Sequence, residues 1–397
     1  MDILVLDTIH GGKEIAAALQ AKGHRTDLVD VYRGEAGHAT GRHYDLMIAP
    51  VHLDPGNLLL RSLSVPCITH HDAVRWILGD GVPEVFVEIT GAQGKTTTAH
   101  ALAHLMPGPG VLHTSSGTFR YPENAVLWRK SITPASVIPA ARYARKIGGW
   151  CIAEVSLGFT GAGTLGILTS PGDYPCAGSM KRALDEKVRS AAHCRCILTA
   201  SGVSVPYPWA CAVDDIARSD GISCSVTLGN TIRDFSNGLL ALESYRTPLM
   251  LAASSASLMG IDPGGLATFQ PVGGRMSVSG EGLVRIIDNA NSGTNCTTTE
   301  EAVNLARSHP GNSGLTLVIG MDARAVCEGF PPEEIAQAIR STRPERVVLV
   351  GDLAWEPAEE VARSLGIPVS YAGDLSEGRQ IACSRPGLVV LAVKTWR

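Results

Sequence analysis

The stretch Val87-Glu88-Ile89-Thr90-Gly91-Ala92-Gln93-Gly94-Lys95-Thr96-Thr97-Thr98 carries the residue types that handle phosphate. Glycines at 91 and 94 let the backbone curl until successive N–H groups and a helix start face an anion. Lys95 then reaches the β- and γ-phosphates of a nucleotide, and the Thr96 hydroxyl is placed to ligate magnesium. The expected ATP site is Thr90, Gly91, Ala92, Gln93, Gly94, Lys95, Thr96 and Thr97. The loop is shorter than the usual phosphate-binding loop, whose first glycine would fall at position 89, here Ile89. A second group with chemical potential is Glu154, in Ala153-Glu154-Val155-Ser156 at the end of an apolar run. A carboxylate at a strand's C-terminal end beside a phosphate loop is well placed to hold magnesium.

The elements needed to position these groups are legible as alternating short apolar runs and amphipathic segments. Runs at 3–6, 28–31, 46–49 and 67–69, with a helix over 13–20, describe parallel β-α units in a domain spanning 1–84. A strand over 85–90, the phosphate loop and a helix over 95–106 open a second domain, 85–265. It continues with strands at 152–155, 166–169 and 196–199 and helices over 135–147, 179–192 and 249–259. The punctuation Pro263-Gly264-Gly265 closes it. A third domain, 266–397, has strands at 284–287, 315–319, 347–350 and 388–393 and helices over 299–307, 332–340 and 356–365.

Composition agrees with an α/β enzyme. The 397 residues include 34 Lys plus Arg against 38 Asp plus Glu, a net −4, which disfavours nucleic acid and membrane surfaces as partners. Ten cysteines lie scattered without framework spacing, and no leader-like segment precedes the first strand, so a soluble cytoplasmic protein with reduced thiols is expected. The pair Cys194 and Cys196 would share one face of a strand, and with no partner pair it reads as core.

The shortened loop resembles that of the Mur ligase and folylpolyglutamate synthetase superfamily, which joins carboxylates to amines through acyl phosphates. Other landmarks recur in the family's order. Ser131-Ile132-Thr133-Pro134 resembles its Thr-Pro element, and Ala153-Glu154-Val155-Ser156 resembles its Glu-x-Ser element. Leu168-Thr169-Ser170-Pro171-Gly172-Asp173-Tyr174 stands where the family has Thr-Asn-Ile-x-x-Asp-His, with Ser170 and Tyr174 replacing Asn and His. Lys187 follows at the spacing where many members carry a carbamylated lysine. Phe269-Gln270-Pro271-Val272-Gly273-Gly274-Arg275-Met276 resembles the linker into the C-terminal domain. Asp288-Asn289-Ala290-Asn291 occupies the place of Asp-x-Ala-His.

This resemblance implies an α/β, three-domain Mur ligase-like architecture: an N-terminal Rossmann-like domain, a central P-loop ATPase domain and a C-terminal Rossmann-like domain. It implies ATP and Mg2+ as cofactors, with Thr96, Glu154, carbamylated Lys187 and Asp173 as metal ligands. Lys95, Glu154, Lys187 and Arg275 would be catalytic, and Arg275 and Asp288 would bind nucleotide. The motif Asp7-Thr8-Ile9-His10-Gly11-Gly12, the loop Asp288–Asn295 and the terminal Ala392-Val393-Lys394-Thr395-Trp396-Arg397 look like those of the coenzyme F-430 synthetases, a Mur-like family of methanogenic archaea. That resemblance implies a small-molecule partner: a ring-open nickel tetrapyrrole whose propionate becomes an acyl phosphate and is attacked by a macrocycle carbon, closing a carbocyclic ring. Nickel would arrive only as part of the substrate.

Ligands of open α/β sheets lie beyond the strands' C-terminal ends. The candidate substrate residues are accordingly His10, Gly11, Gly12, His70 and His71, with Asn289 and Asn291 in the third domain. Two other readings stay open: an ATP-dependent amide ligase acting on an unknown carboxylate and amine, and a nucleotide-binding module without catalysis.

Overall fold

The apolar runs before residue 70 are strand-length and β-branched, and they pair side by side rather than as hairpins. The computed structural model describes residues 1–395 except 33–38, 40, 310–313, 323–328 and 354. Cys327 and the terminal Trp396 and Arg397 therefore lie outside the described residues. Four parallel strands form the first sheet, in the order Arg25–Val29, Asp2–Leu6, Leu46–Ala49, Cys67–Thr69. Its period-two pattern splits cleanly. Ile3 and Val5 face the helices Gly12–Gln20 and His70–Leu78, while Leu4 and Leu6 face Met47, Tyr44 and Leu59 on the other side. Each such fully buried aliphatic side chain contributes roughly 2 kcal/mol.

The second sheet has eight strands: Ala210–Ala212, Ile197–Thr199, Leu165–Leu168, Phe86–Thr90, Trp150–Glu154, Gly110–Thr114, Gly117–Tyr121 and Ala125–Trp128. The first six are parallel and the last two turn back antiparallel. By its internal packing the chain divides into two units, 1–240 with 245–268, and 241–244 with 269–397. Both sheets above belong to the first unit and share one apolar core, in which Ile15, Leu19, Val74 and Ile77 meet Val137, Ile138, Ala141 and Cys151.

The second unit holds a six-stranded sheet ordered Ser277–Glu281, Val284–Asp288, Gly387–Lys394, Leu315–Met321, Arg346–Val350, Val369–Ala372, parallel except for the first hairpin strand. Helices Cys296–Ser308, Pro332–Thr342, Glu356–Ser364 and Leu375–Cys383 flank it.

Three local expectations are corrected. The helix expected from residue 179 begins at Ala183, because Ala177 and Ser179 adopt positive φ and the segment pairs as a short hairpin, Pro175–Cys176 with Lys181–Arg182. The helix expected from 249 starts at Glu243 and carries Pro248 within it. A three-stranded antiparallel sheet, Ala217–Asp220, Ser223–Leu228 and Thr231–Ser236, is absent from the sequence-based expectation. Its turn signals, Asp220-Gly221 and Gly229-Asn230, are nonetheless present in the chain. Among the described residues no helix is long and apolar enough to cross a membrane.

Candidate nucleotide and metal site

Parallel pairing places the chemistry-bearing strand ends side by side. Strand Phe86–Thr90 runs straight into the phosphate loop and sits between Leu165–Leu168 and Trp150–Glu154. Thr90 is level with Leu168 and Ile89 with Glu154, so the Glu154 carboxylate leaves its strand next to the start of the loop. Glu154 is fully buried. The Thr-Pro element lies beside it, because the Ser156 amide donates to the Ile132 carbonyl at 2.8 Å.

The loop itself needs its two glycines. Gly91 has φ +147°, and a Cβ there would lie 2.2 Å from Thr169 Oγ1; Gly94 has φ +81° and opens the helix Lys95–Leu105. The Lys95 ammonium folds back onto the loop, donating to the Gly91 carbonyl at 2.8 Å and the Ala92 carbonyl at 3.2 Å. The amides of Ala92 and Gln93 donate to the Ser170 hydroxyl, at 3.1 and 3.2 Å. Thr169 Oγ1 donates to the carbonyls of Gln93 and Thr90, at 2.5 and 3.2 Å, bracing the loop against the neighbouring strand end. Thr96 Oγ1 lies 3.2 Å from Ser115 Oγ, a hydroxyl from the turn after Gly110–Thr114 that the sequence did not single out.

The oxygen donors at this end of the sheet, the Glu154 carboxylate and the hydroxyls of Thr96 and Ser115, fit a hard divalent cation such as magnesium by their chemistry. Lys187 is also fully buried, although its chain neighbours Glu186 and Arg189 are charged. Its ammonium sits 4.7 Å from the ring centroid of Tyr174, the residue that stands in place of the superfamily's histidine. Asp173 is turned elsewhere: its carboxylate accepts from Arg182 Nε at 2.6 Å and from the Leu184 amide at 2.9 Å, capping the helix that carries Lys187. That ion pair leaves Asp173 as a helix cap rather than a member of the buried group.

In the N-terminal sheet, Gly11 and Gly12 are explained by packing. A Cβ on Gly11, at φ +102°, would lie 2.5 Å from Ala135 Cβ, beside the Thr-Pro element, and one on Gly12 would strike the Asp7 carbonyl. His70 Nε2 is 3.0 Å from the Leu6 carbonyl and His71 Nε2 is 2.9 Å from the Ser156 carbonyl. Burial pulls both imidazoles down to about 4, so they are neutral donors, His70 tying its helix to the first strand and His71 tying the same helix to the segment after Glu154. His10 is held differently, by Asp7 and by His52, a residue absent from the sequence-based list.

In the second unit, Asp288 ends its strand and accepts from the Ala290 amide at 3.1 Å. Asn291 Nδ2 donates to the Gly274 carbonyl at 2.7 Å while its Oδ1 accepts from the Gly293 amide at 2.8 Å. Asn289 Nδ2 donates to the Thr298 carbonyl at 3.1 Å. These two amides, expected on substrate, bind backbone; Asn291 holds the segment before Arg275 against the loop after Asp288, and Asn289 ties that loop to the helix Cys296–Ser308.

Comparison with known proteins places the chain by family and by fold. Residues 278–395 match the family model described as coenzyme F430 synthetase CfbE, C-terminal domain. The coenzyme F(430) synthetase of Methanosarcina acetivorans is 30% identical, in an alignment that spans 100% of this chain and 98% of the relative. Among solved structures, MurF of Acinetobacter baumannii superposes with a TM-score of 0.60 at 12% identity, covering 97% of this chain and 95% of that one. The UDP-N-acetylmuramate-alanine ligase of Thermotoga maritima gives 0.56 at 14% identity, over 99% and 95%. Escherichia coli FolC, solved in complex with ADP, gives 0.56 at 14% identity, over 82% and 90%. The multi-domain α/β fold is thus that of the Mur ligases, and by its full-length likeness the chain belongs to the coenzyme F430 synthetase family.

Proposed function

We propose that this protein, an ATP-dependent ligase by its family, activates a propionate carboxylate of a ring-open nickel tetrapyrrole as an acyl phosphate and closes a carbocyclic ring by carbon–carbon bond formation, giving coenzyme F-430, ADP and phosphate. The observation that carries the reading is the pairing of a Gly-Lys-Thr phosphate loop with the fully buried Glu154 on the adjacent strand, level with Ile89.

A carboxylate is a poor electrophile because its charge is delocalised and its leaving group would be oxide. Transfer of the γ-phosphoryl group to the propionate oxygen, with departure of ADP, supplies a good leaving group. Attack of the deprotonated macrocycle carbon on the acyl carbon then expels phosphate. Lys95, swung from the Gly91 and Ala92 carbonyls onto the phosphates, neutralises charge on the transferring group, and the loop amides of Ala92 and Gln93 orient it. Glu154 and Thr96 would hold magnesium, which would supply screening of the phosphate charges. Lys187, fully buried with its nitrogen over the ring of Tyr174, is assigned to this same end of the site, the position where the superfamily resemblance implies a carbamylated lysine. Arg275 and Asp288 are assigned to the nucleotide, and residues of the 1–84 sheet to substrate recognition. Because the new ring is intramolecular, the remaining task is to hold carboxyl and carbon in contact while excluding water.

The test is phosphate release from ATP and magnesium with and without the ring-open nickel tetrapyrrole, followed by the mass of the product. Substrate-dependent release with loss of one water's mass is the expected result. Release that needs an added amine would replace this reading by an amide ligase, and nucleotide binding without any turnover would leave a binding module.

A further inference from the structure

At the C-terminal end of the first strand, Asp7 adopts φ +88°, a conformation a non-glycine residue rarely holds, and its carboxylate is completely buried. One oxygen, Oδ1, accepts from the amides of Ile9 and His10 at 2.6 and 3.0 Å. The other, Oδ2, lies 2.8 Å from His10 Nδ1, and His10 Nδ1 in turn lies 3.3 Å from His52 Nε2. The two imidazoles meet edge to face at 4.5 Å, and Tyr32 packs on both, edge-on to His10 and parallel to His52.

We propose that Asp7, His10 and His52 form a binding site for a divalent transition-metal ion. The three ligand atoms all lie within 4.8 Å of one another. Around an ion with bonds of about 2.1 Å, neighbouring donors stand roughly 3.0 to 3.4 Å apart in octahedral or tetrahedral geometry, and the edges of 2.8 and 3.3 Å match that spacing with little adjustment. Two imidazoles and one carboxylate select ions such as nickel, cobalt or zinc over magnesium, and they occupy one face so that positions remain for water or an incoming carboxylate. The Ile9 and His10 amides fix the carboxylate, as outer-shell donors do in metal sites. The site is also tied to the rest of the unit. The Val51 carbonyl, beside His52, accepts from Lys181 Nζ at 3.2 Å, on the hairpin that leads into the helix carrying Lys187. This inference does not depend on the ring-closing reaction.

The experiment is a titration of metal-stripped, full-length protein with Co(II), followed by visible absorbance and calorimetry and without ATP or tetrapyrrole. One equivalent should bind with d–d bands. His10→Ala and His52→Ala should each weaken binding at least 100-fold, whereas His24→Ala, which alters a half-buried ring beside Trp76 and outside the cluster, should leave it unchanged. Thermal melts of the variants show that they fold, and the half-exposed His10 is the position where the substitution is structurally mildest. Absence of stoichiometric binding by the wild type, or binding indifferent to both histidines, would overturn the proposal. So would a nickel tetrapyrrole whose absorbance shifts with His52 while free Co(II) does not bind, since the imidazoles would then serve the metal already held in a macrocycle.

Discussion

Glu88 lies under the phosphate loop, and Glu88→Gln fixes it in the shape of its neutral form. The carboxyl is completely buried, accepting a short hydrogen bond from the Thr160 hydroxyl and one of 2.9 Å from the Gly161 amide. Burial raises it from 4.5 to about 7, and those two donors offset only part of the effect. Between these values the folded chain holds a proton that the unfolded chain has released. Its contribution to stability therefore falls as pH climbs through that window and levels off above 7. At about 1.4 kcal/mol per pH unit, the loss between pH 5 and pH 8 is about 2.5 kcal/mol. The glutamine has no such term. His70, His71 and His113, each pulled to about 4 by burial, act in the opposite sense, gaining stability as pH rises towards 6.5. The wild-type profile mixes both effects, so the informative quantity is the difference between variant and wild type. Urea unfolding at both pH values should show Glu88→Gln gaining about 2.5 kcal/mol on the wild type from pH 5 to pH 8, near 5 °C in melting temperature. A difference that is the same at both pH values would refute the assignment of a proton to buried Glu88.

Lys95→Ala should lower substrate-dependent phosphate release by at least a thousandfold while the melting temperature stays within a degree or two, measured by single-turnover kinetics and calorimetry. Gly91→Ala should abolish nucleotide binding in a fluorescent-ADP assay, because the added Cβ would lie 2.2 Å from Thr169 Oγ1; retention of affinity would mean that the loop adopts another path. In Ser170→Ala the Ala92 and Gln93 amides lose the hydroxyl that competes with phosphate, so ADP should bind up to about tenfold more tightly. Weaker binding would show instead that the hydroxyl shapes the loop.

The parts of the site written in contiguous residues were legible in the chain. Gly91, Gly94 and Lys95 announce a phosphate loop because only that order gives a curled backbone followed by a helix start, and Glu154 follows from its place at the end of an apolar run. The strands at Leu46–Ala49 and Cys67–Thr69 match their expected bounds because Pro and Asp punctuate them. What the chain hid were groups joined only by tertiary packing. His52 is 42 residues from His10 and meets it because two parallel strands end side by side. Ser115 reaches Thr96 across a turn of no special composition. Lys187 looks solvated among Glu186 and Arg189, yet Glu186 pairs with Arg189 at 2.6 Å while the lysine turns inward. Asn291, read as a substrate contact, is spent on the Gly274 carbonyl, a demand visible only once that segment is folded against it.

The apolar core common to the first two sheets has a mechanical consequence. Helices Gly12–Gln20 and His70–Leu78 press against the segment from Pro134 to Lys146, with Ile15 and Val74 set among Val137, Ile138 and Ala141. A chain shortened to begin at Val85 would bare that apolar surface to water and should aggregate. In the intact molecule the same continuity works as a ruler. Asp7 and His10 on one side and Lys95 on the other stand on the same interlocked core, so a group bound at the first would keep a set span to the second.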